Sequence, residues 1–213
     1  MKTAAKTDKT NAKKNMETRQ DEQNGQSGTV EPFKTSYLQK FFIEQLKDIY
    51  YAEKQLINGL EQMKQAVSTE ELQDAFEEHK KQTERHVKRL EQVFKLIKQT
   101  PEVKQCEAID GLLKEAGVII NETEEGTYTR DAALIIAAQK VEHYEIASYG
   151  GLVQLAITMN MNRVAEILDK TLQEEEDTDR QLTDIAESYI NVEAEHEHGY
   201  SWESQEEPFK ASR

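Results

Sequence analysis

The sequence predicts an all-α protein in which four long helices form a bundle. Three observations support this prediction: helix-breaking residues are rare, helix-favouring residues are common, and apolar residues recur at helical spacing. The 213 residues include only nine glycines and three prolines, and Glu, Lys, Gln, Ala and Leu are abundant. No stretch shows the apolar–polar alternation or the β-branched enrichment of a strand. A sheet is therefore not expected.

Charge and cysteine content exclude several classes of function. The formal net charge of −14 would repel the phosphate backbone of a nucleic acid, so no nucleic-acid partner is expected. No run of apolar residues approaches the roughly 18 residues of a membrane span, so no membrane partner is expected either. Cys106 is the only cysteine, which precludes an intrachain disulfide and favours a reducing compartment. We therefore expect a cytoplasmic protein.

The composition divides the chain into three parts. Residues 1–34 are rich in Lys, Thr, Asn, Gln and Gly and contain few large apolar side chains, so they predict a disordered N-terminal tail. Residues 35–192 carry the helical patterns and predict the bundle. Residues 193–213 return to a charged, turn-like composition and predict a flexible C-terminal tail. His196 and His198 fall in that tail, and we do not expect them to form a specific metal site.

The first predicted helix runs from about Ser36 to Ala66, and one carboxylate interrupts its apolar stripe. The stripe consists of Leu46, Ile49, Tyr50, Leu56, Ile57 and Leu60. Glu53 falls on this stripe near the middle of the helix. Taken alone, Glu53 is better interpreted as a residue at the stripe edge, whose stem packs while its carboxylate reaches water. Partners from other helices would change this interpretation.

The second predicted helix begins with an S-x-x-E capping box at Ser68 and ends near Ile97, before a proline. Apolar residues occupy the two ends of its inward stripe, and polar residues occupy the centre. His79, Gln82 and His86 follow spacings of three and four, so their side chains project together. A single core histidine is usually a hydrogen-bonded structural residue, but two histidines with a glutamine between them fit a binding site equally well.

Residues 98–128 connect the second and third long helices and contain a short amphipathic helix of their own. Its apolar residues are Cys106, Ile109, Leu112, Leu113, Ala116, Ile119 and Ile120. A helix of about 28 residues spans roughly 42 Å, and a link of this size can cross the whole length of a bundle. Such a connection is typical of ferritin-like four-helix bundles.

The third predicted helix, about Thr129 to Met159, carries two carboxylates on its core-facing stripe. Glu142 and Glu145 are three residues apart and share one face with the apolar residues around them. A carboxylate that faces a core is costly unless it is paired, protonated or bound to a cation. His143 is one residue out of phase, so we expect it at the surface or behind the inward pair.

The fourth predicted helix, about Asn162 to Val192, contains an acidic run at its centre. Glu175 and Asp179 lie one turn apart on the inward stripe, and periodicity selects them as facing the core. The other acidic residues of the run, which we interpret as a solvated face, are Glu174, Glu176 and Asp177.

The polar interruptions of the four long helices fall at similar heights. Helices of similar length packed side by side bring their midpoints together, so the sequence predicts a central belt of carboxylates and imidazoles. Carboxylates about 4 Å apart repel each other by a few kcal/mol at an effective dielectric constant of about 20. Raised pKa values could relieve this repulsion, but two divalent cations would relieve it more directly. Carboxylate and imidazole ligands suit iron or manganese, with zinc as an alternative.

Three stretches of the sequence resemble one protein family. They are AEKQL at 52–56, RDAALIIAAQKVEHYEIASYG at 130–150, and the EE…TD pattern of residues 174–179, followed by LTD. From about residue 38 to residue 190 the sequence resembles the YciF/YciE-type stress proteins, a ferritin-like family also known as domain of unknown function 892 (DUF892). The resemblance implies a ferritin-like four-helix bundle, a dinuclear metal centre of the di-iron type, a homodimer and a role in bacterial stress responses.

The resemblance also implies a set of metal ligands. The family pattern matches Glu53, His79, Glu142, Glu145, Glu175 and Asp179. It departs at Gln82, where the family commonly has Glu, and the loss of one charged ligand should weaken metal binding. His86 lies one turn beyond Gln82 and is an additional candidate that could compensate. The predicted set of ligands for two divalent ions includes Gln82.

Two classes of function fit these predictions. The first is a ferritin-like stress-response protein with a dinuclear iron or manganese site that reacts with O2 or peroxide. The second is a non-enzymatic helical interaction or structural protein, in which the belt is a metal-free hydrogen-bonded network that specifies packing. Gln82 favours the second class. The residues do not decide whether the protein is an enzyme, and they identify no catalytic residue.

Overall fold

The computed structural model describes residues 36–197, and every regular element in that range is helical. In chain order these are α1 (Tyr37–Ala66), α2 (Glu70–Leu96), α3 (Glu107–Glu122), α4 (Tyr128–Thr158), α5 (Asn162–Ile185), a π-helical turn (Ala186–Ile190) and α6 (Asn191–His196). The all-α prediction is confirmed: α1, α2, α4 and α5 are the four predicted long helices, and α3 is the short helix predicted in the link. The N-terminal tail predicted at 1–34 lies outside the described residues, and so does the part of the predicted C-terminal tail (193–213) that follows residue 197.

The long helices form two pairs, α1 with α2 and α4 with α5. Residues 67–69 and 159–161 join the members of each pair, and connections this short make the two helices antiparallel. Further contacts of α2 with α5 and of α1 with α4 close the bundle, while α3 packs against α1 and α4. None of the described helices has the length and apolar character that crossing a bilayer requires.

Asp131 ties the start of α4 to the start of α2. Its carboxylate accepts hydrogen bonds from the backbone N–H groups of Ser68 (2.9 Å) and Thr69 (2.9 Å) and from the Ser68 hydroxyl. Backbone N–H groups at a helix start lack helical partners, so this carboxylate caps α2. The predicted capping box at Ser68 is therefore wrong, because Thr69 is the N-cap residue and α4 supplies the acceptor. The contact also shows that α2 and α4 begin at the same end, as the long link predicted.

Arg130 has the corresponding role at the end of α3. Its guanidinium donates to the backbone carbonyl of Ile120 (3.1 Å) and to the hydroxyl (3.0 Å) and carbonyl of Thr123. Carbonyls in the last turn of a helix lack helical partners, so the buried cation satisfies them. The Arg–Asp pair that opens the stretch 130–150 therefore fixes helix ends, while the acids further along that stretch enter the core.

The helical part of the chain continues beyond residue 192, where the sequence predicts the bundle to end. The π-helical turn leads into α6, which reaches His196. Glu197 then accepts hydrogen bonds from the backbone N–H groups of Tyr128 (2.6 Å) and Thr129 (2.8 Å), at the start of α4. The charged composition that indicates a tail also suits a segment whose acid caps a helix.

Large apolar side chains fill most of the space between the helices, and a belt of buried polar side chains crosses it. Among the largest buried apolar residues are Phe42, Phe76, Phe94 and Tyr149. Among the described residues, the buried acidic and histidine side chains that do not cap helices are Glu53, His79, His86, Glu142, Glu145 and Glu175. These six residues form the candidate site.

Candidate metal centre

Six ionisable side chains from four helices meet inside the bundle. α1 contributes Glu53, α2 contributes His79 and His86, α4 contributes Glu142 and Glu145, and α5 contributes Glu175. His79 is 3% exposed, and each of the others is exposed by 1% or less. The interpretation of Glu53 as an edge residue that reaches water therefore does not hold.

Helical periodicity carries these polar side chains into the core. In α2, His79, Thr83 and His86 are all buried, at spacings of four and three. In α4, Glu142 and Glu145 lie on the same face as the apolar residues that anchor the helix. The apolar residues above and below the polar side chains pack in the core, and this packing fixes the position and rotation of each helix. The acids are thus held inside by the helices that carry them, against their own preference for water.

The six side chains form two overlapping groups. In the first, His79, Glu142, Glu145 and Glu175 each offer a ligand-type atom, and these atoms lie within 4.8 Å of one another. In the second, Glu53, His86 and Glu175 do the same. We call these groups the first position and the second position. Glu175 belongs to both groups, so its carboxylate lies within reach of each position.

At the first position, the ring of His79 is held from both sides. Its Nε2 lies 3.1 Å from Glu142 Oε1, and its Nδ1 lies 3.4 Å from Gln82 Oε1. The same glutamine oxygen accepts a hydrogen bond from the Thr178 hydroxyl (3.2 Å). Gln82 therefore supports a candidate ligand from behind, and it points the Nε2 of His79 towards the carboxylates.

At the second position, His86 lies between carboxylates on three sides. Its Nδ1 is 2.9 Å from Glu175 Oε1 and 3.5 Å from Glu53 Oε1. Its Nε2 faces away from the group and lies 2.9 Å from Glu174 Oε2. The buried hydroxyl of Tyr149 donates a hydrogen bond to Oε1 of Glu53. His86, only an additional candidate on sequence grounds, is a full member of the centre.

Many of the converging atoms have no hydrogen-bond partner. The unpartnered atoms of the centre are Glu53 Oε2, His79 Nε2, His86 Nδ1, Glu142 Oε2, both carboxylate oxygens of Glu145 and both of Glu175. The two ring nitrogens approach carboxylates closely, but without the alignment of a hydrogen bond. Buried polar atoms in folded proteins nearly always have partners. Ligand-type atoms that converge without partners fit a metal site, so these Glu and His side chains could hold metal ions.

Burial and mutual repulsion perturb protonation at the centre. Burial and the neighbouring carboxylates raise the pKa of Glu145 well above its usual value. Burial raises the pKa of Glu175 to about 7, against the opposing effect of the two histidines. Burial lowers the pKa of His79 and of His86, but the facing carboxylates outweigh it and raise these values to about 9 and about 11. Without a metal the centre holds extra protons near neutral pH, and a bound cation would displace them.

The structure places Asp179 outside both positions. Its side chain is 21% exposed, and its carboxylate lies 3.2 Å from Gln139 Nε2 and 3.5 Å from His143 Nε2. Thr178 is buried instead. Four residues advance a helix by more than one full turn and by about 6 Å, so a side chain four residues beyond Glu175 is both rotated and raised relative to it.

Two residues that border the centre carry little signal in the sequence. Glu174 accepts hydrogen bonds from His86 and from both terminal nitrogens of Arg89, each of which lies 2.7 Å from a carboxylate oxygen. Burial would raise the pKa of Glu174, but Arg89 and His86 lower it to about 2. The sequence predicts Glu174 to be part of a solvated face, because it belongs to an acidic run, but its side chain is only 22% exposed. Only the position of Arg89, three residues after His86, could have indicated a partner for it.

Comparisons with known proteins agree with the resemblance seen in the sequence. The family model described as Domain of unknown function (DUF892) matches residues 37–195. The protein YciF of Escherichia coli strain K12 is 44% identical over 160 residues, which cover 74% of this chain and 95% of that protein.

Solved structures share the fold. The crystal structure of the E. coli stress protein YciF has 43% identity and a TM-score of 0.69, covering 72% of this chain and 97% of that chain. YcfI of Rhodopseudomonas palustris, for which a structural role has been suggested, has 34% identity and a TM-score of 0.68, and the match covers 71% of this chain and 96% of YcfI. A protein from Xanthomonas campestris pv. campestris has 20% identity and a TM-score of 0.59, covering 75% and 97%, and supports the fold alone.

Proposed function

Because this chain belongs to the DUF892 family of YciF-type proteins, we propose that it is a stress-response protein whose bundle holds two divalent metal ions. One observation carries the proposal: the buried carboxylate oxygens and imidazole nitrogens of the centre converge without hydrogen-bond partners. A stress role is suggested by the E. coli relative, which is described as a stress protein.

The proposed ligands follow from the two groups. The first ion would be held by His79, Glu142 and Glu145, the second by Glu53 and His86, with Glu175 available to both. A donor set rich in carboxylates, with one imidazole for each ion, suits iron or manganese better than a thiolate-preferring metal, and zinc is the alternative. Asp179 and Gln82 are not among these proposed ligands.

Iron or manganese bound here would supply redox chemistry towards O2 or peroxide. The residues of the chain supply the surroundings for it. Tyr149 orients Glu53 with a hydrogen bond, and Gln82 supports the ring of His79. The nearly complete burial of the ligands keeps bulk water away from the centre. Peroxide or O2 consumption by the loaded protein, compared with the metal-free protein, tests this part of the proposal.

Thermal denaturation with and without metal is the first test. A ligand that binds only the folded state stabilises it, by about 2.7 kcal/mol at a free concentration of 100 times Kd. Wild-type protein loaded with Mn2+ or Fe2+ should therefore melt at a higher temperature than protein dialysed against a chelator. Glu175→Gln should abolish this difference, because it alters both positions. Glu176→Gln, a change at the adjacent residue outside both groups, should preserve it. Equal melting temperatures with and without metal would contradict the proposal.

A second test identifies the ions. Anomalous scattering measured above and below the iron and manganese edges, on crystals of protein purified without added metal, should show two peaks among the six ligands. A single peak, or peaks only at the protein surface, would contradict a dinuclear centre.

The alternative is a non-enzymatic interaction or structural protein with a metal-free belt. The structural role suggested for YcfI favours it, as does the glutamine at position 82. In this case the imidazoles and carboxylates would stabilise each other through shared protons. The chelator experiment separates the two functions, because the metal-free network predicts no change in melting temperature.

We further propose that the protein is cytoplasmic and forms a homodimer. The single cysteine supports a reducing compartment, and the family resemblance supports the dimer. Light scattering on the purified full chain should give twice the mass of one chain. A monomeric mass would contradict the dimer without affecting the metal centre.

A further inference from the structure

The two ring nitrogens of His86 face different surroundings. Nδ1 points to the second position, where Glu175 and Glu53 lie 2.9 Å and 3.5 Å away. Nε2 points out of the centre, to Glu174 at 2.9 Å. The imidazole is fully buried, so water does not replace either contact. The ring therefore bridges the centre and a residue outside it.

Glu174 is itself firmly held. Both of its oxygens accept hydrogen bonds from the terminal nitrogens of Arg89, at 2.7 Å each, which is the bidentate geometry of a strong guanidinium–carboxylate pair. Arg89 also donates to the Thr171 hydroxyl at 3.2 Å. Arg89 and Glu174 are 16% and 22% exposed, so the pair is partly shielded from solvent. It joins α2 to α5 directly behind His86.

This arrangement fixes the proton on the ring. A carboxylate paired with arginine is ionised and can only accept hydrogen bonds. The Nε2 of His86 must therefore carry the hydrogen that it donates to Glu174. In a neutral imidazole the other nitrogen is then left with a free lone pair, and that nitrogen is Nδ1, which faces the second position.

We infer that the Glu174–Arg89 pair is a positioning device that presents Nδ1 of His86 to a metal ion at the second position. The inference rests on the proposed function, since it needs an ion there. A carboxylate that accepts the second N–H of a ligating histidine fixes the tautomer and the orientation of the ring in many metal sites. Here the arginine holds that carboxylate in turn.

The first position uses the opposite nitrogen. Gln82 lies 3.4 Å from the Nδ1 of His79, and the Nε2 of His79 faces Glu142. The two histidines of α2 thus offer different atoms to the two ions. The first position also has two carboxylates of its own, whereas the second has only Glu53 besides the shared Glu175. Loss of the positioning pair should therefore weaken the second ion selectively.

The tautomers provide a direct test in the wild-type protein. With the chain loaded with Zn2+ as a diamagnetic probe, long-range 1H–15N correlation spectra report which ring nitrogen binds metal. His86 is expected to be metal-bound at Nδ1 and protonated at Nε2, and His79 the reverse. Metal bound at Nε2 of His86, or no metal at its ring, would overturn the inference. This measurement does not depend on any variant folding.

Variants of the pair test its effect on affinity. Glu174→Gln replaces an obligatory acceptor with an amide that can also donate, and Arg89→Gln removes the anchor. Titration with Mn2+ should show two ions bound to wild type. The ion at the second position is expected to be the weaker one, because that position has three candidate ligands and the first has four. In both variants this ion should bind about 10- to 100-fold less tightly, as is typical when the partner of a ligating histidine is removed. The affinity for the ion at the first position should not change.

Matched controls lie on the same two helices. Arg85→Gln and Asp177→Asn each break an exposed ion pair, with Glu78 and with Arg180, and should leave both affinities at the wild-type values. Arg89→Lys keeps the charge but loses the bidentate geometry, so it should fall between wild type and Arg89→Gln.

The outcomes distinguish this inference from the proposed function. If wild type binds two ions and the Glu174 and Arg89 variants bind both as tightly, the positioning role is refuted and the dinuclear centre stands. If wild type binds no ion, the proposed function and this inference both fail. If the variants weaken both ions equally, the pair acts on the whole bundle, and the selective role is refuted.

Discussion

At the scale of single residues, Glu145 is the candidate ligand whose burial should destabilise the metal-free protein most. Neither of its carboxylate oxygens has a partner, and it is completely buried. Burial and the nearby carboxylates raise its pKa, which shows how poorly the site accepts another negative charge. Such a residue is a cost to the metal-free fold that a bound cation would offset.

Replacing Glu145 with a similar apolar side chain should expose this conflict. Buried ionic groups replaced by hydrophobic groups of similar volume often stabilise a protein, by about 1–4 kcal/mol. We expect Glu145→Met to be more stable than wild type in urea denaturation with chelator present. We also expect the variant to lack the stabilisation by Mn2+ that we predict for wild type. A metal-free variant less stable than wild type would show that Glu145 has a stabilising partner.

Tyr149, in contrast to Glu145, should stabilise the metal-free protein. Its hydroxyl donates to Glu53, whose other oxygen has no partner. Tyr149→Phe leaves a buried carboxylate without its donor, so we expect a loss of about 1–3 kcal/mol in urea denaturation of the metal-free protein. Tyr50→Phe is the matched control. It removes a hydrogen bond to Glu91, which is exposed and can be hydrated, so its effect should be clearly smaller.

At the scale of helices, the bundle is held by caps that come from other helices. Asp131 of α4 caps the start of α2, and Arg130 satisfies the end of α3. Glu197, after α6, caps the start of α4. The contacts of Asp131 and Glu197 link segments that are 62 to 69 residues apart, whereas Arg130 reaches back 7 to 10 residues to the end of the preceding helix. They set the relative heights of the helices, and the alignment of the six buried side chains of the candidate site depends on those heights.

Removal of the Asp131 carboxylate tests this coupling. Loss of a capping acceptor costs about 0.5–2 kcal/mol, and Asp131→Ala should reach the upper part of that range because the site is fully buried. Hydrogen exchange of the Ser68 and Thr69 amides should accelerate. Asp177→Ala, an exposed acid on α5, should change neither stability nor exchange at α2. An unchanged Asp131→Ala protein would show that water replaces the cap.

At the scale of the whole molecule, the protonation of the centre should make stability depend on pH. The pKa values of His79 and His86 are raised from 6.5 to about 9 and about 11, and that of Glu175 from 4.5 to about 7. A group whose pKa is higher in the folded state binds its proton more tightly there. Its contribution to stability is complete below the unfolded value and is lost as pH rises through the folded value.

The metal-free protein should therefore be more stable at about pH 5.5 than at about pH 8.5. The stabilisation by added Mn2+ should change in the opposite direction, because the ligands must release protons to bind a cation. Urea denaturation at both pH values, with chelator and with metal, measures both effects. A metal-free protein that gains stability towards pH 8.5 would contradict the raised pKa values.

The sequence predicted the helices and most of the central belt, because both depend on local periodicity. Glu142 and Glu145 could be placed from the apolar residues on their own helix. Local periodicity does not predict which side chains of different helices contact each other. The cap on Ser68 comes from Asp131, 63 residues away, and Glu174 gains its partner from a different helix. Asp179 fitted the predicted stripe and yet lies outside the centre, because the four residues that separate it from Glu175 both rotate and raise its side chain.

Glu175 gives the centre an evolutionary constraint. A lineage that loses Glu53 or His86 damages one position and leaves the ligands of the other intact. A lineage that loses Glu175 damages both in one step. If the centre binds two ions as we propose, homologues that bind a single ion should retain an acid at this place on the fifth helix, and homologues that replace it should bind none.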